Sequence, residues 1–247
     1  MKKIYKGFFL FYFLFVANFS TLAQKVFFSD VSEGSIQTVD AIRVIVPQKF
    51  RTVTLQNASL KSFLWSLPKE AEATANIMLA PLLELPMPDG RTAKFRVWES
   101  SIQEPALENK FPEIKTFVGQ GIDDPLATIR FDYTPLGFHA QVLTINGSYY
   151  IDPYAVGLVN DYISYYRTDL LKTRNFTCGV RGTAPVLAGR FNNVQSANCL
   201  GTDLRTYRLA VASTGEYAQA PGIAAGTNAA NLHAAIVSTV NRVVGVF

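Results

Sequence analysis

Between residues 127 and 134 apolar and polar side chains alternate one for one, and no other feature of the chain restricts its fold as strongly. Ala127 to Thr134 reads ATIRFDYT, which puts Ile129, Phe131 and Tyr133 on one face and Thr128, Arg130 and Asp132 on the other. That period of two belongs to a half-buried strand. Gly137 to Ile145 (GFHAQVLTI) and Ser148 to Asp152 (SYYID) follow as further strands, joined at Asn146-Gly147. This dipeptide is favoured in type I′ hairpin turns, where both central residues take positive φ. Earlier strands are expected at Ile42 to Val46, Arg51 to Gln56, Phe63 to Leu67 and Arg91 to Trp98, the last entered through Pro88-Asp89-Gly90. The expected class is therefore mainly β, an antiparallel sheet or a β-sandwich.

The N-terminus reads differently. Lys2, Lys3 and Lys6 precede an unbroken apolar run from Gly7 to Val16, and Thr21-Leu22-Ala23 offers the small residues of a cleavage site. Residues 1–23 are expected to be a signal peptide, cut after Ala23 to leave Gln24 first. The run is shorter than the roughly 20 residues a spanning helix needs, so a stable membrane anchor is not expected. Removing the leader takes three of the 23 basic residues and none of the 19 acidic ones, which reduces the formal charge from +4 to +1. Without a clustered basic stripe, nucleic acid is excluded as an expected partner.

From Asn175 to Thr202 the chain turns small, polar and glycine-containing with no sustained period, which marks residues 175–203 as a linker. Beyond it, Tyr207 to Ala212 (YRLAVA) is a strand candidate. In Asn228 to Phe247, Leu232, Ile236, Val240 and Val243 or Val244 recur at helical spacing. A strand followed by a helix opens many α/β domains, and this pair alone cannot bury its apolar faces.

Chemistry-bearing motifs are scarce. The two histidines, His139 and His233, have no partner at metal-ligand spacing and read as structural. Neither H-E-x-x-H, C-x-x-C, G-x-S-x-G nor a P-loop occurs. Asp123-Asp124 before Pro125 could ligate calcium, but such a pair in a proline turn more often caps the turn.

Longer strings are more informative. WESSIQEPALENKFPEIKTFVGQGIDDPLATIRFDYTPLGFHAQ, Trp98 to Gln141, and YYIDPY, Tyr149 to Tyr154, resemble the propeptide region of bacterial secreted reprolysin-like zinc metalloproteases of the metzincin group. LRTYRLAVASTGEYAQAPG, Leu204 to Gly222, with AAIVSTVNRVVGVF, Ala234 to Phe247, is similar to the opening strand and first helix of the catalytic domain in the same proteins. The resemblance implies a propeptide at 24–174 and the start of an α/β (α+β) catalytic domain at 204–247. It also implies zinc in the whole enzyme, protein or peptide substrates, and the chain's own catalytic domain as the propeptide's partner. The family's zinc is held in an extended H-E-x-x-H-x-x-G-x-x-H segment that is not in this sequence, so no catalytic residue is expected here. The alternative reading is an extracellular β-sandwich binding module without catalysis.

Arg181 and Arg190 are candidate positions for an activating cut. Cys178, in FTCGVRG, resembles the cysteine of metzincin propeptides whose thiolate fills the open zinc position. A disulfide between Cys178 and Cys199, which export permits, is the competing expectation, and spacing alone does not choose between them.

Overall fold

The computed structural model describes residues 26–38, 41–73, 76–171, 208–220, 223 and 229–246. The expected leader, Gln24, Cys178, Cys199, Arg181, Arg190 and the 175–203 linker lie outside the described residues. Among those described, no helix is long and apolar enough to cross a membrane.

Nine strands make one antiparallel sheet: β1 (Phe28–Asp30), β2 (Arg51–Leu55), β3 (Leu82–Pro86), β4 (Thr92–Glu99), β5 (Lys115–Gly121), β6 (Thr128–Thr134), β7 (Gly137–Thr144), β8 (Gly147–Pro153) and β9 (Asp161–Tyr166). Their order is β1-β2-β9-β8-β7-β6-β5-β4-β3. From β3 to β9 the strands are therefore a meander, and β2 adds on beyond β9. The sheet curls until its two ends nearly meet. Ser164 Oγ on β9 donates to Pro86 O at the end of β3 (2.8 Å), and the Arg51 guanidinium of β2 donates to Arg91 O (2.7 Å). Of the two expected architectures, the single antiparallel sheet is the one found, in nearly closed form. Gly119 on β5 permits part of that curl, since a Cβ there would lie 2.6 Å from Arg96 O on the neighbouring strand.

The inner face carries the main core. Val53, Leu83, Leu85, Phe95, Val97, Phe117, Ile129, Phe131, Phe138, Val142 and Ile151 form one buried cluster. Phe131 stacks on Phe117 at 5.0 Å between centroids and tilts against Phe138 at 5.9 Å. The alternation of Ile129, Phe131 and Tyr133 is thus the inward face of β6, as expected.

One end of this barrel is plugged by a helix where a strand was expected. Phe63 to Leu67 is not extended: residues through Trp65 belong to α1 (Asn57–Trp65), and Leu67 follows its last turn. Leu60 and Leu64, four apart on one helical face, are fully buried in the core, and Trp65 meets Tyr133 edge-on at 5.6 Å. A short apolar run such as FLW is compatible with either period. The open barrel end needed a plug, and a helix presents Leu60 and Leu64 to it together.

Other expectations are corrected in detail. Ile42 to Val46 pairs with no strand and leaves Ile42, Val44 and Val46 exposed. Arg208 to Ala212, the described part of the Tyr207 strand candidate, is likewise unpaired and exposed. The β7–β8 turn residues are Ile145 and Asn146, one position earlier than expected, because Thr144 pairs with Gly147. Gly147 opens β8 at φ +124° and its carbonyl accepts from Thr144 Oγ1 (2.7 Å), a closure that sets Val142 against Tyr149 inside the barrel.

The outer face is largely covered. Residues 31–38 and 41–50 lie over β8 and β9, where Ile36, Tyr154, Ile163 and Tyr165 cluster. The stretch containing α2 (Glu70–Ala73) covers Trp98 on β4. After α3 (Pro105–Lys110) and α4 (Gly215–Ala218), the helix α5 (Ala229–Val244) lies across β6 and its neighbours. The expected helix exists, but its buried residues are Ala234, Ala235, Val237 and Asn241. Leu232, Ile236 and Val240 are only partly buried, and Val243 and Val244 are exposed. What lies beneath the helix is mixed: Ala234 and Val237 pack with Ile114, while Ser238, Asn241 and Arg242 meet polar groups of the sheet.

Candidate functional site

The polar surface beneath α5 follows from strand register. Thr116, Asp132 and His139 are cross-strand partners on the outer face of β5, β6 and β7, and the Ala140–Ile151 pairing brings Asp152 of β8 alongside them. On a solvated face these would be ordinary surface groups. Here Asp132 and Asp152 are each only 1% exposed. Burying a carboxylate is costly unless it is paired and hydrogen-bonded, so the partners must be accounted for.

Asp132 Oδ1 accepts from His139 Nδ1 (2.9 Å) and from Ser238 Oγ on α5 (2.7 Å). Asp152 Oδ1 pairs with the Arg242 guanidinium, and Asp152 Oδ2 accepts from the Tyr165 hydroxyl (2.8 Å). The Arg242 guanidinium also lies 5.5 Å from the centroid of the Tyr150 ring, which stacks on Tyr165. Asn241 Nδ2 donates to Phe131 O (3.0 Å). Ser238, Asn241 and Arg242 thus meet the sheet from successive positions along α5. Upstream on the helix, His233 Nε2 donates to Gln103 Oε1 (2.6 Å) and its ring packs 4.5 Å from Phe111, beside the buried Ile114, Ala234 and Val237.

The electrostatics match this geometry. Burial works to lower the pKa of Arg242, but the charges of Asp152 and Asp132 outweigh it, so the guanidinium is held charged more firmly than usual. Burial, then the charge of Asp152, pushes the Tyr165 phenol up, which keeps it a donor. Desolvation pushes His233 down, so the neutral ring is favoured at the joint.

A cleft of about 460 Å³ opens beside the network, lined by His139, Asp152, Ser238 and Arg242 together with apolar Ile45, Leu136 and Ile223. The trio Ser238, Asp132 and His139 does not have the geometry of nucleophilic catalysis. Ser238 donates to the carboxylate and not to the imidazole, so no base is placed to take its proton. Among the described residues no three His, Cys, Asp or Glu side chains converge on a point that could hold a metal, so they do not fit a zinc site. The arrangement can dock a helix and hold it in one register.

The two histidines are thus brought to the same interface from opposite sides, His139 from the sheet and His233 from the helix. Asp123 and Asp124 stand apart from it. Asp124 Oδ1 accepts from Leu126 N (3.0 Å), as a turn-capping carboxylate does, while Asp123 Oδ2 accepts from Lys94 N on β4 (3.4 Å). Asp132, Asp152, Ser238 and Arg242 were not singled out from sequence. A faint signal existed, since aspartate is depleted within strands and both FDY and IDP carry one mid-pattern. No protein family, curated protein or solved structure matches this chain.

Proposed function

We propose that residues 24–174 are the propeptide of an exported zinc metalloprotease zymogen, that 175–203 is its linker, and that α5 belongs to the first unit of the catalytic domain. One observation carries the reading beyond the sequence resemblance. The helix assigned to the catalytic domain sits on the barrel through a joint of one ion pair and several hydrogen bonds centred on Asp132 and Asp152. Contacts between units of one chain are characteristically more polar than a core, and a polar joint suits a contact made in the precursor and given up on activation. In this reading the barrel supports folding by holding α5 in register, and it maintains latency by staying attached. The zinc-binding histidines and the peptide-hydrolysing step are placed beyond Phe247.

The whole precursor provides the test. Once processed between residues 175 and 203 it should cleave casein in a chelator-sensitive manner, and the downstream reading frame should encode an H-E-x-x-H segment. A reading frame without that segment, or a processed precursor with no chelator-sensitive activity, overturns the proposal. In the latent form, premature activation of Cys178→Ala supports the zinc-bound thiolate, whereas a mapped Cys178–Cys199 bridge ends that idea and leaves the disulfide. The second reading, an extracellular binding module, is favoured by a cavity at the unplugged end of the barrel.

A further inference from the structure

The barrel end opposite α1 is bounded by the β3–β4 turn, the β5–β6 loop and the β7–β8 hairpin, and a cavity of about 470 Å³ lies there. That volume falls within the range of small-molecule sites, which recur in the mouths of β-barrels. Its inner wall is apolar and aromatic, with Phe95, Ala127, Val142 and Tyr149, while Arg91 and Asp123 stand at the rim.

Tyr149 distinguishes this cavity from a packing gap. The side chain is 2% exposed, and its hydroxyl is buried with no hydrogen-bond partner among the described residues. A buried donor left unmade is costly, so such a group calls for a partner. Burial, with Tyr166 and Asp89 nearby, raises its pKa, so the phenol stays protonated and donates. The Tyr166 ring meets Tyr149 edge-on, and the Tyr166 hydroxyl donates to Asp89 Oδ2 (3.3 Å). The polar corner therefore offers one free donor, the Tyr149 hydroxyl, since Asp89 Oδ2 is already engaged by Arg91 and Tyr166. A ligand hydroxyl accepts from that donor.

Arg91 is paired with Asp89 at 2.6 Å and Lys94 with Glu84 at 3.6 Å, so Asp123 and Asp124 leave the rim acidic, which disfavours an anion, while the apolar wall and the Tyr149 donor give a cation no partner inside. We propose that this mouth binds a small neutral ring compound bearing a hydroxyl, with the ring against Phe95 and Val142 and the hydroxyl at Tyr149. The proposal is independent of the zymogen reading, because α5 and its joint lie on the outer face.

The test is calorimetric titration of the purified chain with p-cresol and with toluene as its hydrocarbon counterpart. Saturable one-to-one binding of p-cresol is expected, about three- to tenfold tighter than toluene, the difference of one hydrogen bond. Amide resonances of residues 121–127 and 144–149 should shift on addition. Tyr149→Phe should bind both ligands at the toluene level, which separates the hydroxyl from the shape of the pocket. Absence of saturable p-cresol binding to the unsubstituted chain, equal affinity for the two ligands, or a p-cresol preference that survives in Tyr149→Phe overturns the proposal.

Discussion

The two faces of the curled sheet are buried by different means. Inside, Phe117, Phe131, Phe138, Ile129 and Val142 lose water to one another, and any apolar shape of similar volume would recover most of that energy. Outside, beneath α5, the same strand β6 contributes Asp132, and stability there depends on Ser238, His139 and Arg242 being at hydrogen-bonding distance from particular carboxylate oxygens. The inner face therefore tolerates exchange and resists opening. The outer joint tolerates little exchange and can be opened by losing a single partner.

The largest effect should come from breaking the inner face. Phe131→Ala removes a fully buried ring from the centre of the cluster and should cost about 3–5 kcal/mol, read as a cooperative loss of the whole barrel in urea unfolding. A smaller, local effect is expected from Arg242→Met, which leaves the Asp152 carboxylate buried without its cation. The cost should be about 3 kcal/mol, seen as faster amide exchange in α5 while the barrel strands keep their protection. Adding Asp152→Leu should recover most of it, and a double mutant no better than Arg242→Met would show that the pair is not the source.

Asn241→Leu sharpens the comparison further, deleting the helix's hydrogen bond to Phe131 O for about 1 kcal/mol, again confined to α5 exchange. The smallest effect concerns pH. The folded-state pKa of His233 lies below its ordinary value of 6.5, so the folded form binds fewer protons than the unfolded one. The docking contribution should be complete above about 6.5 and should decline as pH falls through that value towards the lower folded pKa. Comparing exchange of α5 between pH 8 and 5 in the wild type and in His233→Gln, which does not titrate, should show the decline only in the wild type.

Where local pattern and tertiary environment agreed, the fold was legible. The β6 strand alternates strictly and β7 and β8 are bracketed by turn residues, and each landed within a residue or two of its expected bounds. Phe63 to Leu67 failed because three large apolar residues in succession carry no period, and only the barrel end that received α1 could choose. The Leu232–Ile236–Val240 stripe failed for a related reason. Periodicity identifies a helix, but the face it buries depends on what it meets, and here it met carboxylates.

The sequence by itself determined that the chain is mainly antiparallel β, which residues of β6 point inward, and that a helix closes the described region, because these follow from periods of two and 3.6 within neighbouring residues. Only the tertiary structure decided that the sheet curls nearly shut, that α1 plugs one end and leaves a cavity at the other, and that Asp132 and Asp152 are buried under α5. Those outcomes rest on contacts between residues about 40 to 106 positions apart, from Arg51 with Arg91 to Ser238 with Asp132. A strand's outward face reads the same in sequence whether water or a helix lies above it.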